Sequence, residues 1–183
     1  MRVIAGKCRG RKLESPKNQD RTRPTEAMVK EAVMNILQPI RQGAVVLDLF
    51  AGSGQMGIEF LSRGAGYCFF SEIAKPLIPI LQANLQKTRL EENARILHGD
   101  FRRGIERVDR QLDYVYMDPP YQKGYEFEAI EALRHSKKLK KDGIVVVESA
   151  AEDPWSCGLK GFRCIFQRIY KNTQIQIFKE ERS

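Results

Sequence analysis

"GAVVLDLFAGSG", residues 43–54, is the stretch on which the fold turns. Val45 to Leu49 make a short, mostly apolar run that breaks into a loop carrying Gly52, Gly54 and Gly57. A buried strand running into glycines, then the helical pattern "QMGIEFLSRG" (55–64) with Gly64 as C-cap, opens a strand–turn–helix unit. Outward from it the alternation continues. "YCFFSE" (67–72), "ARILHG" (94–99), "LDYVYMD" (112–118) and "GIVVVES" (143–149) read as further strands. Between them lie helical patterns at "KPLIPILQANLQKTRL" (75–90), "FRRGIERV" (101–108) and "EFEAIEALRHSKKL" (126–139). Pro79 predicts that the first of these begins late or kinks. Alternation of this kind predicts an α/β fold with a mostly parallel sheet covered on both faces.

The two ends of the chain differ from this core. "FRCIFQRIYKNTQIQIFKEE" (162–181) holds two alternating runs about Asn172, the signal of an antiparallel hairpin. Upstream of the core, "TEAMVKEAVMNILQPI" (25–40) has helical apolar spacing, and "RVIAGKCRGRKL" (2–13) sets Val3, Ile4 and Leu13 around Gly6 and Gly10. That spacing predicts two short paired strands at the N-terminus. The whole reads as a single domain over 1–183, with a basic arm over 1–24 and a core over 25–183.

Composition narrows the function classes. The net charge is +8, and the first 30 residues hold nine lysines and arginines against three acids, so most of the excess sits in the arm. A basic arm on a nearly neutral body points to a polyanion, most simply nucleic acid, with Arg2, Lys7, Arg9, Arg11 and Lys12 as the contacts. Four scattered cysteines without a C-x-x-C pair, with only two histidines, speak against a metal site or a disulfide framework. No apolar run is long enough to cross a membrane and the start lacks a secretory apolar stretch, so the cytoplasm is the expected location.

Gly52-x-Gly54-x-x-Gly57 matches a dinucleotide fingerprint, and Glu72 lies 20 residues beyond Gly52 at the end of the next strand. An acid there reaches a ribose diol, which suits a nicotinamide cofactor and S-adenosylmethionine alike. Asp48, at the strand end before the glycines, would repel a pyrophosphate but suit a cationic amine. Asp100 closes the third strand, where it would accept from an adenine amine with Phe101 against the ring; a helix N-cap and a core aromatic are their structural alternatives. S-adenosylmethionine explains Asp48, Glu72 and Asp100 together, with the loop residues Phe50, Ala51, Gly52, Ser53 and Gly54 around it.

The fourth strand ends in Asp118-Pro119-Pro120-Tyr121. Prolines cannot continue a sheet ladder, so the carboxylate is set at a fixed stop facing the crevice beyond the strand ends. An exocyclic amine is a poor nucleophile because its lone pair is delocalised into the ring. Hydrogen bonds from it to the Asp118 carboxylate and the Pro119 carbonyl would free that pair and stabilise the positive charge of methyl transfer. Pro119 and Pro120 hold the acceptors in place beforehand, and Tyr121 offers a face for the target base.

These motifs, with "AGKCRGRKL", "RPT", "LDLFAGSGQMGIEFLSRGA", "MDPPY" and "YKNTQIQIF", resemble the bacterial 16S ribosomal RNA guanine-N2 methyltransferases of the RsmD type, within the class I methyltransferases, over nearly the whole chain. The resemblance implies a Rossmann-like sheet of seven strands and methyl transfer from S-adenosylmethionine to one guanine N2 of 16S RNA in an assembled small subunit. It assigns Asp118 to Tyr121 to the target amine and base, and sets Thr25 of "RPT" near the amino-acid end of the cofactor. Cys8 stands where family members usually have Trp, Met28 where Arg is common, and Gln55-Met56 where small residues or leucine are commoner. Three other readings stand beside this one: an amino-methyltransferase acting on adenine, cytosine or a protein glutamine, a non-catalytic RNA-binding module, and a nicotinamide oxidoreductase. With only about 40 residues ahead of the first strand of the core to recognise a target, a folded RNA suits the chain better than bulk DNA.

Overall fold

A computed structural model describes residues 1–16, 24–120, 123–152, 159 and 161–181. Seven strands form one sheet: β1 (Val45–Asp48), β2 (Tyr67–Glu72), β3 (Ala94–His98), β4 (Leu112–Met117), β5 (Leu139–Ala150), β6 (Phe162–Tyr170) and β7 (Thr173–Glu180). Their order is β3-β2-β1-β4-β5-β7-β6; β1 to β5 run parallel, and β7 lies antiparallel between β5 and β6. Five helices accompany them: α1 (Pro24–Ile36), α2 (Gln55–Ser62), α3 (Ile78–Thr88), α4 (Phe101–Arg107) and α5 (Tyr125–Ser136). The expected Rossmann-like sheet with its terminal hairpin is the observed one. Pro79 sits in the first turn of α3, behind a separate 3-10 turn at Lys75–Leu77, so that helix does begin late.

Alternation along each strand divides the core into two layers. Val46, Phe70, Tyr114, Val146 and Ile177 face one side, where α1, α2 and α3 lay down Val33, Met34, Ile58, Phe60 and Leu81. Leu47, Phe69, Val115, Val147 and Phe178 face the other, against Phe101 and Ile105 of α4 and Ile130 and Leu133 of α5. Because parallel strands need crossovers, all five deliver their carboxyl ends to one edge of the molecule. Strand order reverses between β1 and β4, whose register pairs Asp48 with Tyr116. A crevice opens at such a reversal.

The N-terminal arm holds the expected pairing of two strands in a minimal form. It keeps one antiparallel bridge, Arg2 to Lys12, with the Val3 and Gly10 amides donating across it to Arg11 O and Val3 O. Leu13 N closes the pairing on Met1 O, Arg9 N and Arg11 N bond within the turn to Gly6 O and Cys8 O, and further amides are drawn off to the body. Ile4 N and Ala5 N donate to the Glu59 carboxylate at 2.8 and 3.0 Å, Lys7 N to Ser62 O, and Cys8 N to Ser62 Oγ. Gly6 is at φ +80, and a Cβ there would lie 1.9 Å from Ser62 O, so the arm sits directly on α2. Val3, Cys8 and Leu13 are buried in the first core layer.

Candidate active site

Asp48 ends β1 and is almost wholly buried under the glycine loop. Its Oδ2 accepts the Gly57 amide at 2.9 Å, which ties the start of α2 to the strand. Burial pushes its carboxyl up to about 7, against the pull of the Gly57 amide and the Lys30 charge and with a further push from Asp118 and Glu72. Near neutrality such a group is divided between its protonated and ionised forms, and a nearby cation favours the ionised one. Orienting the loop through the Gly57 amide is compatible with the expectation that Asp48 meets an amine. One oxygen serves the loop, and the charge is poised.

Lys30 went unnoticed in the sequence. It projects from α1 to bond Gln55 Oε1, and its charge acts on Asp48. The signal was there to read, as a lysine on the apolar side of the "MVKEAVMNIL" pattern.

The loop is held open by its own backbone bonds. Leu49 N donates to Tyr116 O, Ala51 N to Ser71 O and Gly54 N to Ala51 O. Gly54 and Gly57 are packing glycines: a Cβ would come 2.1 Å from Leu81 Cδ1 at the first and 2.2 Å from Phe70 Cε1 at the second. Gly52 is different. At φ +55 it has nothing within 4 Å of where a side chain would stand, so the chain is bare toward the crevice, as close approach of a ligand requires. Ser53 and Ala51 are buried in the loop wall, and Ser53 O is held by Asn84 Nδ2 at 2.9 Å.

Glu72 ends β2 beside the loop, as its position 20 residues on predicts. Its Oε2 accepts Gly52 N at 2.7 Å and its Oε1 accepts Ala74 N. Each oxygen keeps a further lone pair. Asp100 takes the N-cap of α4: Oδ1 accepts Arg102 N at 2.9 Å, and Oδ2 pairs with the Arg102 guanidinium. The capping alternative therefore holds for this residue. Phe101 is buried behind it, with the Arg102 guanidinium 4.4 Å from its ring centre. Phe50, Phe101 and Tyr125 make an aromatic trio, with Phe50 stacked at 6.4 Å on Tyr125 and 5.3 Å from Phe101. Tyr125 is a second residue that sequence reasoning missed, though it stands just beyond "DPPY" at the start of α5.

Asp118 and Pro119 follow β4 directly, and Asp118 is exposed where β4 and β1 end side by side. Its charge reaches both Asp48 and Tyr116. Below it, buried Tyr116 donates its hydroxyl to the buried Glu148 carboxylate of β5, and burial lifts that phenol well above its ordinary value. This pair is a third feature the sequence did not announce, since both residues read there as strand positions. Pro119 is buried and Pro120 exposed. Tyr121 lies outside the described residues. Thr25 is in the first turn of α1, and its side chain is likewise outside them.

The structure thus brings Asp48, Gly52, Glu72 and Asp118 together at the reversal point, with Asp100 and Phe101 at the neighbouring strand end. The basic arm is elsewhere. Lys7 and Arg9 are exposed at its tip, beside the C-termini of α2 and α3, and Arg11 donates to Lys87 O. Both helices run away from the crevice, so the tip lies roughly a helix length, about 12 Å, toward the opposite end of the strands. Arg2 and Lys12, exposed at the bridge, lie between.

Residues 1–179 match the family model described as conserved hypothetical protein 95. Among curated proteins, the ribosomal RNA small subunit methyltransferase D of Haemophilus influenzae is 35% identical over 84% of this chain and 81% of its own length. Its counterpart in Escherichia coli K12 is 34% identical over 84% and 76%. The chain belongs to the RsmD family. A solved Escherichia coli structure, yhhF, provisionally assigned as a methyltransferase, superposes over the whole chain and 99% of its own with a TM-score of 0.87 at 30% identity. The RsmD fold therefore extends through the N-terminal arm and the terminal hairpin. Among the described residues no group of histidine, cysteine and acids could hold a metal, and no helix is long and apolar enough to cross a membrane.

Proposed function

We propose that this protein transfers a methyl group to the exocyclic N2 amine of a guanine in small-subunit (16S) ribosomal RNA. One observation carries the chemistry: the exposed Asp118 ends β4 at the same reversal point where β1 ends in buried Asp48 under an open glycine loop. A donor site and an amine-accepting carboxylate share one crevice. The relatives named for small-subunit RNA methylation supply the substrate class.

The residues present suit S-adenosylmethionine, which when bound supplies an activated methyl group on a sulfonium. Asp48 would hold its cationic amine, Glu72 its ribose hydroxyls, and bare Gly52 lets the chain come close. Asp100 and Phe101 border the place for an adenine, with Phe50, Ala51, Ser53, Gly54 and Thr25 around the remainder. On the acceptor side, Asp118 and the Pro119 carbonyl take hydrogen bonds from the guanine amine. This localises its lone pair and stabilises the charge that forms on nitrogen. Pro119 and Pro120 fix the acceptors, and Tyr121 stacks on the base, which must leave its own stack to arrive. The exposed charges of the arm hold RNA away from the crevice.

The test is incubation with labelled S-adenosylmethionine and, separately, unmodified small subunits, protein-free small-subunit RNA and DNA, followed by nucleoside analysis. Label in N2-methylguanosine from the ribosomal substrates is the expected result. Label in adenine, cytosine or protein, or none at all, would refute it.

A further inference from the structure

The stretch "YKNT", residues 170–173, carries no part of the chemistry above, yet the fold delivers it to the crevice. Ala150, the last residue of β5, pairs with Thr173, and Thr173 pairs with Tyr170. The Ala151 amide donates to Asn172 O at 2.9 Å, which fastens the β6–β7 turn to the carboxyl end of β5. β4 pairs Met117 with Val147, so Asp118 emerges level with Glu148, two residues or about 7 Å short of Ala150. From β4 across β5 and β7 to β6 is three ladder steps, about 14 Å at ~4.8 Å each. A few nucleotides of single strand span that distance.

The turn is built unlike an inert connection. Lys171 is at φ +55, and among the described residues it is the only non-glycine in that region apart from Arg89 and Lys137, which are the C-caps of α3 and α5. Glycine or asparagine would relieve such a turn, and a lysine held there is retained against a local penalty. Arg168 is exposed and lies 5.1 Å from the centre of the Tyr170 ring. Tyr170 is half-buried, rooted against the first core layer, with the rest of its surface open. A rooted ring, a guanidinium across it and a lysine beside it form a base-stacking platform with phosphate contacts, whereas a protein-docking surface would favour a broader apolar centre. Glu152, exposed just past β5, is a neighbouring acid, leaving the basic pair in excess.

We propose that the β6–β7 turn is a second RNA-binding element. Tyr170, backed by Arg168, stacks a base flanking the target nucleotide, and Arg168 with Lys171 holds the adjoining phosphates. The inference rests on the RNA methyltransferase reading and deepens it: it identifies how the strand leaving the crevice is held.

The experiment measures methylation of protein-free small-subunit RNA by the full-length protein and by Tyr170→Ala, Tyr170→Phe, Lys171→Gly and Lys171→Arg, alongside cofactor affinity and thermal stability. Tyr170→Ala should raise KM for RNA about tenfold, within the range of base–aromatic stacking, while kcat and cofactor affinity hold. Tyr170→Phe should keep the wild-type KM. Lys171→Gly should raise KM a few-fold and flatten the salt dependence of RNA binding by about 0.7 in log–log slope, and Lys171→Arg should restore both. Unchanged KM and salt slope in Tyr170→Ala and Lys171→Gly, with wild-type turnover intact, would overturn this inference alone. A fall in kcat shared equally by Tyr170→Phe and Tyr170→Ala would also overturn it, as the sign of a merely structural role. Absence of RNA methylation by the wild-type protein would overturn the function and this inference together.

Discussion

Asp48 has two roles that a single ionisation state cannot serve equally. Buried and bonded to Gly57, it carries a carboxyl raised to about 7, so near neutrality it is part-protonated. A group whose folded value lies above its ordinary 3.8 stabilises the fold fully below that ordinary value and loses the contribution as pH rises through 7. Binding of a cationic amine works the other way, because it needs the ionised form. Cofactor affinity should therefore climb by up to about tenfold per pH unit below 7 and level off above it. Calorimetry at pH 6.5 in buffers of different ionisation enthalpy should register a released proton. Asp48→Asn should abolish both the pH dependence and the proton release while the Gly57 amide keeps an acceptor. An affinity that is flat with pH in the wild-type protein would remove Asp48 from the amine. Asp118 is the contrasting case, since it is exposed just past the end of β4. Asp118→Ala should remove methyl transfer and leave cofactor affinity within about twofold, as equilibrium binding and single-turnover assays would show.

Among the elements, the attachment of the arm to α2 depends most on one side chain. Glu59 is buried, and its carboxylate takes the Ile4 and Ala5 amides together with Arg63 Nε at 2.7 Å. Glu59→Ala strands two amides and a guanidinium, at roughly 1–3 kcal/mol for each buried group left without a partner. A fall in Tm of several degrees should result, with early proteolysis within residues 1–14. Gly6→Ala should act similarly, because the added methyl has the Ser62 carbonyl in its way. How much of this could be read in advance depended on the range of the interaction. The β1–loop–α2 unit and its partners follow from local pattern, and so did Glu72, whose position is set by a strand of fixed length. The pairing within the arm follows from apolar residues flanking glycines, and the Arg2–Lys12 bridge bears it out. The arm's seat on α2 does not follow: the Ile4, Ala5, Lys7 and Cys8 amides bond to Glu59 and Ser62, more than 50 residues away, and nothing in the pattern of residues 2–13 points there. The Tyr116–Glu148 pair is hidden for the same reason, as each residue gains its meaning from a neighbour on another element. Asp100 was legible only as a choice between two roles, because an acid between a strand and a helix caps the helix whether or not a ligand also uses it.

At the scale of the whole molecule, the tip of the arm lies away from the crevice, and this changes how RNA binding has to be tested. Deleting residues 1–14 takes Val3, Cys8 and Leu13 out of the core, and the valine and leucine side chains alone are each worth about 1.5–3 kcal/mol. Against a total stability of roughly 5–15 kcal/mol, such a truncation would test folding before it tested RNA. Replacing the exposed charges leaves the core alone. Lys7 and Arg9 changed together to glutamine should keep Tm within a few degrees and lower the log–log salt slope of binding to folded small-subunit RNA by about 1.4. The geometry then divides substrates by size. A short single-stranded oligonucleotide that fills the crevice does not extend past α2 and α3 to the arm's tip, so its methylation should be the same in the double variant and the wild-type protein. Folded RNA reaches both ends of the sheet, and its KM should rise about tenfold or more. Equal losses on the short and the folded substrate would mean that the arm acts on the crevice through the body of the protein. No loss on either would mean that its charges are solvated surface.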